Sequence, residues 1–561
     1  MKMVQRINAR LLEHWIPLTE ANLSSKIEMS FRTARARFKS EFEKVLGFEA
    51  ALNKGLPQPH NVHTWFARRP TTAARILTAT AVLPTQIDPT MLKDVVGLNV
   101  QIRKLAKDGI PPIVYMTKPN REKLMELTKR YLGKNPRDIV VVDPMAGGGS
   151  IPLESLRLGF RTIAIEYNPV AYLILKATVE FPARYADAGL FEETLRTAKE
   201  LIARAREELG KYYGEDSENY IFARGVRCPF CGGLVPAQGV APQITRVSRF
   251  KKRYLKIEFD RERKTFAAET ADESVSKPIE KRGSNIKCPY CDRWFQLRGR
   301  AKTGQTAFDK WFREHAKLMK GVVEELEQVT PEMEERLLEL HVPLVKQVGN
   351  TFVAIWGDED ERRRFVQAFR DLSSEILELQ EYIPVDEIPA ENRWASTARN
   401  KGLTHWYMLF NPRQLLAIAK LSKIVAETAE KLAFKNGEFG TAVSIYLALA
   451  LDKVANYNTI VTMWDSSTAS ISPTIRGEST IDFRQEYAEM VITLPERSLE
   501  WTLEPHVAES GRLTETAGGI LPVLKFLTDE FRGAGLGDRV EVYLGDATRL
   551  SEILGVGTVD V

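Results

Sequence analysis

The sequence predicts an α/β fold, a parallel sheet of the doubly wound kind interrupted by a cysteine-bearing ribbon and a large helical insertion. Three observations carry this. Ile-Val-Val-Val at 139–142 is a short β-branched run, suited to a strand buried on both faces, and it ends in a glycine-rich turn. A helical pattern at 151–158 follows the turn, and Arg-Thr-Ile-Ala-Ile-Glu at 161–166 then reads as a second buried strand. All four cysteines fall between 228 and 291, separating these strands from the next β-branched run at 540–544.

In chain order, residues 1–135 read as mainly helical. Pro70 suits the first turn of a helix over 71–83, and before it stands His63-Thr64-Trp65-Phe66-Ala67-Arg68-Arg69-Pro70, a dense aromatic and basic set. Residues 136–185 form the first half of the α/β domain. Residues 186–303 are an inserted segment: a charged helix at 186–214, then the cysteine pairs, with a half-exposed strand at 254–259. Residues 304–520 are a helical and loop insertion: 305–385 reads as long amphipathic helices, such as 308–326 and 359–379, and helices at 412–435 and 440–457 follow. The Ser-, Thr-, Gly- and Pro-rich stretch 465–518 then reads as a long loop. Residues 521–561 return to the sheet through a helix at 521–531, the strand 540–544 and the turn Gly545-Asp546-Ala547.

Composition bounds the partners. The 561 residues carry a formal charge of +5 and are 44% hydrophobic, which excludes a disordered, collagen-like or disulfide-dense chain. So small a net charge means that any nucleic-acid surface must come from local clustering. No export signal opens the chain and no run approaches about 18 apolar residues, so a cytoplasmic protein is expected. The apolar run 442–451 reads as a buried helix.

Cys228-Pro-Phe-Cys231 and Cys288-Pro-Tyr-Cys291 use every cysteine. Two Cys-x-x-Cys knuckles complete a tetrahedral structural Zn2+ site with no open position for activated water. The 56 residues between the pairs exceed the usual separation, so the ribbon carries an insertion. Within it lie nine cations: Arg246, Arg249, Lys251, Lys252, Arg253, Lys256, Arg261, Arg263 and Lys264. Such a hairpin suits a nucleic-acid backbone, with Arg249, Lys251, Lys252 and Arg253 as the candidates; a solvated charged face is the competing reading.

Asp143-Pro144-Met145-Ala146-Gly147-Gly148-Gly149-Ser150 leaves the carboxyl end of the first strand, where open α/β sheets bind ligands. Glu166 ends the next strand, and an acidic group there accepts both hydroxyls of a ribose, which implies an adenosine-type cofactor. Neither a phosphate-cradling Gly-Lys-Ser/Thr nor a G-x-G-x-x-G fingerprint is present.

Together with Glu166-Tyr167-Asn168-Pro169, this segment resembles the S-adenosylmethionine-binding element of amino-group DNA methyltransferases. Among these the chain resembles the zinc-ribbon adenine-specific DNA methylase family whose N-terminal part is called DUF1156, with a Rossmann-like cofactor domain. His63 to Pro70, Gly159-Phe160-Arg161 and Phe410-Asn411-Pro412-Arg413-Gln414 extend the likeness over nearly the whole chain. The resemblance implies that Asp143 and Pro144 lie near the amino-acid moiety of the cofactor, with the Ala146, Gly147, Gly148, Gly149 and Ser150 backbone lining it. Glu166 would hold the ribose, Tyr167 and Asn168 would flank the adenine, and Asp546 with Ala547 would meet the adenine amino group. Arg68 and Arg69 would hold phosphates or the cofactor carboxylate, unless Trp65 simply belongs to the core.

The expected function is an S-adenosylmethionine-dependent DNA methyltransferase, adenine N6 or cytosine N4, of a modification or defence system. No cysteine lies outside the pairs to serve as the thiolate that cytosine C5 chemistry needs. The alternatives are a non-catalytic DNA-binding specificity subunit and an RNA methyltransferase. The family orients the extruded base with Asp/Asn/Ser-Pro-Pro-Tyr/Phe, but the only Pro-Pro here is Pro111-Pro112, without either neighbour. A truncated piece, or a split enzyme whose partner chain supplies that motif, is therefore expected, and no catalytic residue is assigned. Target reading is expected within 186–520, with His506, Arg476 and Arg484 as loop candidates.

Overall fold

A computed structural model describes residues 9–29, 40, 44, 57–65, 67–108, 113–237, 243–246, 252–299, 305–475, 481–492, 503, 519–554 and 559–561. The chain is mixed α/β and divides into two compact units: Met1–Ala198, Lys431–Leu449 and Trp501–Val561 form the first, Lys199–Glu430 and Ala450–Glu500 the second. Among the described residues no helix is long and apolar enough to cross a membrane.

In the first unit the strands Val140–Asp143, Arg161–Glu166 and Val540–Leu544 form a parallel sheet with Arg161–Glu166 in the middle. The middle strand buries Thr162 to Ile165. The expectation that 139–142 is buried on both faces needs correcting: Ile139 and Val141 are buried but Val140 and Val142 only half-buried, so one face of this edge strand is incompletely covered. Its outer side accepts short pairing from residues 560 and 561: Val142 N donates to Val561 O, and both Asp560 N and Val561 N donate to Val140 O.

The helix Ser150–Leu158 returns behind the sheet and packs on the helix Thr71–Val82. A fully buried ionic cluster joins them. Arg75 and Arg157 share Glu154 at 2.5 and 2.8 Å, and Arg157 also faces Glu530 at 3.6 Å from the helix Ile520–Phe531. Arg75 and Arg157 both donate to Thr117 O. Such a cluster survives burial only because carbonyls and carboxylates satisfy most of its donors.

The second unit is built on Ser217–Arg227, which pairs antiparallel with His341–Val348 on one side and Glu486–Met490 on the other. Two expectations fail here. The stretch 305–385 is not all helical, since His341–Val348 and Thr351–Ala354 form a hairpin between the helices Pro331–Leu340 and Glu359–Ser374. Nor is 465–518 simply a loop: Met463–Asp465 pairs with Ser470–Ser472, and Glu486–Met490 is buried along its whole length. The predicted helices at 412–435 and 440–457 are both present within Pro412–Asn456, as two helices that meet at a sharp kink at Gly437, whose φ of 56° and ψ of −133° lie outside the helical region.

Candidate functional site

The three parallel strands of the first unit deliver their carboxyl ends to one edge. Ala146 N donates to Ile165 O and Gly545 N to Glu166 O, so the turns after all three strands are stitched together. Gly147 and Gly149 stand at φ of 52° and 82°, where an L side chain is strained. Gly149 also starts the helix Ser150–Leu158 without any side-chain cap. That leaves the positive end of a helix uncapped by a side chain, a setting that favours anionic ligand groups.

Two carboxylates stand at this edge. Glu166 Oε2 accepts from Gly147 N at 2.7 Å and Oε1 from Asn168 N at 2.9 Å. Burial, reinforced by the neighbouring Glu166, raises the pKa of Asp143. Its Oδ1 accepts from Met145 N at 3.3 Å. Asn168 caps the next helix, accepting from Val170 N and Ala171 N, and Pro169 follows at its first position. Asp546 caps the turn after the third strand through Thr548, whose donors hold its carboxyl below the usual range, and Ala547 starts that turn. Around these acids lie exposed apolar side chains: Met145 at 78%, Tyr167 at 77%, and Leu544, Val170, Ile151 and Leu173. An apolar fringe around convergent acids is what a flat heterocycle attached to a polyhydroxyl group would cover.

The segment 57–70 provides the wall of a cleft above the glycine turn. Trp65 packs so closely that a Cβ on Gly147 would stand 2.9 Å from its Nε1, and one on Gly148 3.1 Å from its Cδ1. Ser150 Oγ donates to Arg69 O at 2.6 Å. Arg68, half-buried, hydrogen-bonds the His60 ring, and burial lowers its pKa against the field of Glu28. Glu28 was not legible as a functional residue. Its two oxygens accept from the amides and hydroxyls of Thr71 and Thr72, capping the helix Thr71–Val82 from 43 and 44 residues away. Burial still raises its pKa. Glu28, His60, Trp65, Arg68, Gly148 and Ser150 line this cleft, so Trp65 belongs to a cleft wall and not to the core.

The second unit holds the four cysteines, whose sulfurs all lie within 4.8 Å of one another. Cys228 and Cys291 are 3.8 Å apart and Cys231 and Cys288 3.7 Å, the spacing expected of four thiolates about 2.3 Å from a tetrahedral Zn2+, for which edges are roughly 3.8 Å. The knuckles repeat one backbone design. Gly232 N donates to Cys228 O and Asp292 N to Cys288 O, with φ of 75° at Gly232 and 59° at Asp292. The cluster could hold a structural metal such as zinc, with no position left for a reacting water.

The hairpin strands Arg253–Asp260 and Thr265–Ala271 spend their cations internally. Arg253 pairs with Asp272, Lys256 with Glu258 and Glu269, Arg261 with Asp292, and Arg263 with Asp260. Lys252 is exposed, whereas Arg249 and Lys251 lie outside the described residues, as do Arg476, His506 and Pro111-Pro112. Arg484 pairs with Asp482. The Phe410-Asn-Pro-Arg-Gln414 motif is interior: Asn411 and Gln414 form a reciprocal helix cap, and Arg413 pairs with Glu489 at 2.8 Å with both side chains at most 1% exposed.

Comparison of the chain with protein-family models, with curated proteins and with solved structures finds no match.

Proposed function

We propose that this chain is the cofactor-binding portion of a Rossmann-like, S-adenosylmethionine-dependent methyltransferase acting on an exocyclic amine of a DNA base, adenine N6 or cytosine N4, with the cysteine cluster holding a structural Zn2+. The observation that carries the reading is the convergence of Asp143, the glycine turn, Glu166 and Asp546 at one strand-end edge amid exposed Met145, Tyr167 and Leu544. When bound, the cofactor would supply a sulfonium methyl group to an attacking amine, with the N–CH3 bond formed as the S–CH3 bond breaks, S-adenosylhomocysteine leaving as the thioether and the amine losing one proton. On this reading Glu166 exchanges its bond to Gly147 N for the ribose hydroxyls, and Asp143 faces the cofactor ammonium. Tyr167 covers the adenine, whose amino group donates to Asp546. Arg68, hydrogen-bonded to the His60 ring, takes the cofactor carboxylate.

In the family that the sequence resembles, a Pro-Pro-aromatic element orients the lone pair of the extruded base, and these 561 residues hold no such element. The reaction is therefore proposed to draw it from outside these residues, whether from the same polypeptide or from a partner. Calorimetric titration with S-adenosylhomocysteine should show one site per chain, and absence of binding would overturn the cofactor reading. Methylation of duplex DNA should appear only when a polypeptide carrying Asp-Pro-Pro-Tyr is added. Robust transfer by this chain alone would refute the need for that element.

A further inference from the structure

The charge of the ribbon is distributed unevenly. From Lys252 to Asp272 the hairpin carries six cations against five carboxylates, and the ion pairs above consume most of them. From Lys281 to Arg298 there are five cations, Lys281, Arg282, Lys287, Arg293 and Arg298, and one carboxylate, Asp292. Lys287 is held by Glu280 and Asp292, and Lys281 donates to Gln485 Oε1. Arg282, Arg293 and Arg298 are all exposed and have no carboxylate within ion-pair distance among the described residues.

Two of these arginines rest on aromatic rings instead. The Arg282 guanidinium lies 4.8 Å from the centre of the Trp294 ring, and Arg293 lies 5.2 Å from that of Phe230, which is 53% exposed. The sheet brings Arg282 and Trp294 to one face. The strands Lys281–Arg282, Asn285–Lys287 and Trp294–Gln296 pair antiparallel, with Ile286 opposite both Lys281 and Phe295. Ile286 and Phe295 are buried, so alternation leaves Arg282, Asn285, Lys287, Trp294 and Gln296 on the other face. Arg282 on Trp294, and Arg293 on Phe230 beside the knuckles, are thus arginine–aromatic pairs with no carboxylate within ion-pair distance among the described residues.

We infer that these arginine–aromatic pairs together with Arg298, and not the basic hairpin at 246–264, are where the ribbon grips nucleic acid. Arg282, Arg293 and Arg298 would neutralise backbone phosphates, while Phe230 and Trp294 offer ring faces to a base or sugar. Arginine stacked on an aromatic ring keeps its in-plane N–H donors free for bidentate phosphate contacts. The inference does not depend on the cofactor reading, because the ribbon lies in the other unit and the test needs no cofactor.

The experiment uses the full chain and fluorescence anisotropy with labelled duplex DNA and, in parallel, duplex RNA of the same sequence. The combined R282Q, R293Q and R298Q variant should weaken binding by more than about tenfold and flatten the salt dependence by about 2–3 in log–log slope. Phe230→Ala should weaken binding several-fold with an unchanged slope. The hairpin variant K252Q with R263Q should bind as the parent does. Zinc content measured alongside identifies any variant whose ribbon has not formed. Should that happen to the triple variant, the single Arg298→Gln, beyond the knuckles, should still lower the slope by about 1. The two duplexes distinguish DNA from RNA as the source of the phosphates. Parent-like affinity and slope in the triple variant, a larger loss in the hairpin variant, or equal competition by polyglutamate would overturn the inference.

Discussion

Two turns that each start a helix are built in opposite ways. The glycine turn before Ser150–Leu158 has no side-chain cap, and its acids stand beside exposed Met145 and Tyr167. The Asn411 turn before Pro412–Asn456 is sealed: Asn411 and Gln414 cap each other, Arg413 pairs with Glu489, and Asn411 Nδ2 donates to both Glu489 and Tyr487. Both are motif-dense in sequence, yet the first stands at an exposed edge and the second is closed around buried partners, with only Arg413 Nη2 and Gln414 Nε2 of its motif left unpaired. A motif that folds into a closed network serves the fold. One that leaves acids and apolar surface exposed together marks a ligand site.

The strongest way to break this contrast is Arg413→Met. It leaves Glu489 buried without its cation and should cost about 3–5 kcal/mol in chemical denaturation of the second unit, while leaving S-adenosylhomocysteine affinity unchanged. An unaltered denaturation midpoint would show that the sealed turn is not structural. Gly147→Ala should do the reverse. It places a Cβ against Trp65 at a φ of 52°, with about 1–2 kcal/mol of strain, and calorimetry should record more than a tenfold loss of cofactor affinity.

A smaller effect concerns acid. His315 and His341 hydrogen-bond each other at full burial, His341 also bonds Tyr487, and the buried Arg224 guanidinium is the charge nearest them. Burial pushes His315 down to about 4 and His341 well below the ordinary imidazole range. Folded-state values below the unfolded value of about 6.5 mean that the stability contribution is complete above that pH and is lost as pH falls toward 4. Thermal unfolding followed between pH 7 and 5 should therefore show falling stability, with a shallower fall in His315→Gln. Equal slopes would exclude the pair as the source.

The legible parts were those with local periodicity. The strands at 140–143, 161–166 and 540–544, the glycine turn, Glu166 and both cysteine pairs all declare themselves within a few residues. What stayed hidden depends on distant partners. Glu486 and Glu489 make 486–490 read as exposed, because nothing nearby reveals that Arg413, 76 residues away, will neutralise Glu489. Pro343 disguises the strand His341–Val348, which absorbs it next to a register shift. Glu28 sits in an ordinary polar run, and its role arises only where Thr71 and Thr72 meet it.

The contact between Trp65 and the glycine turn also bears on how these positions can vary. Gly147 is held by its own backbone angle as well as by the indole, whereas Gly148, without a positive φ, is held by the 3.1 Å approach of Trp65 alone. A smaller residue at 65 would release Gly148 to alanine and leave Gly147 bound to glycine. Position 148 is therefore free to change only where 65 carries a smaller residue, so a one-way dependence between two sites 83 residues apart would mark this cleft in related sequences.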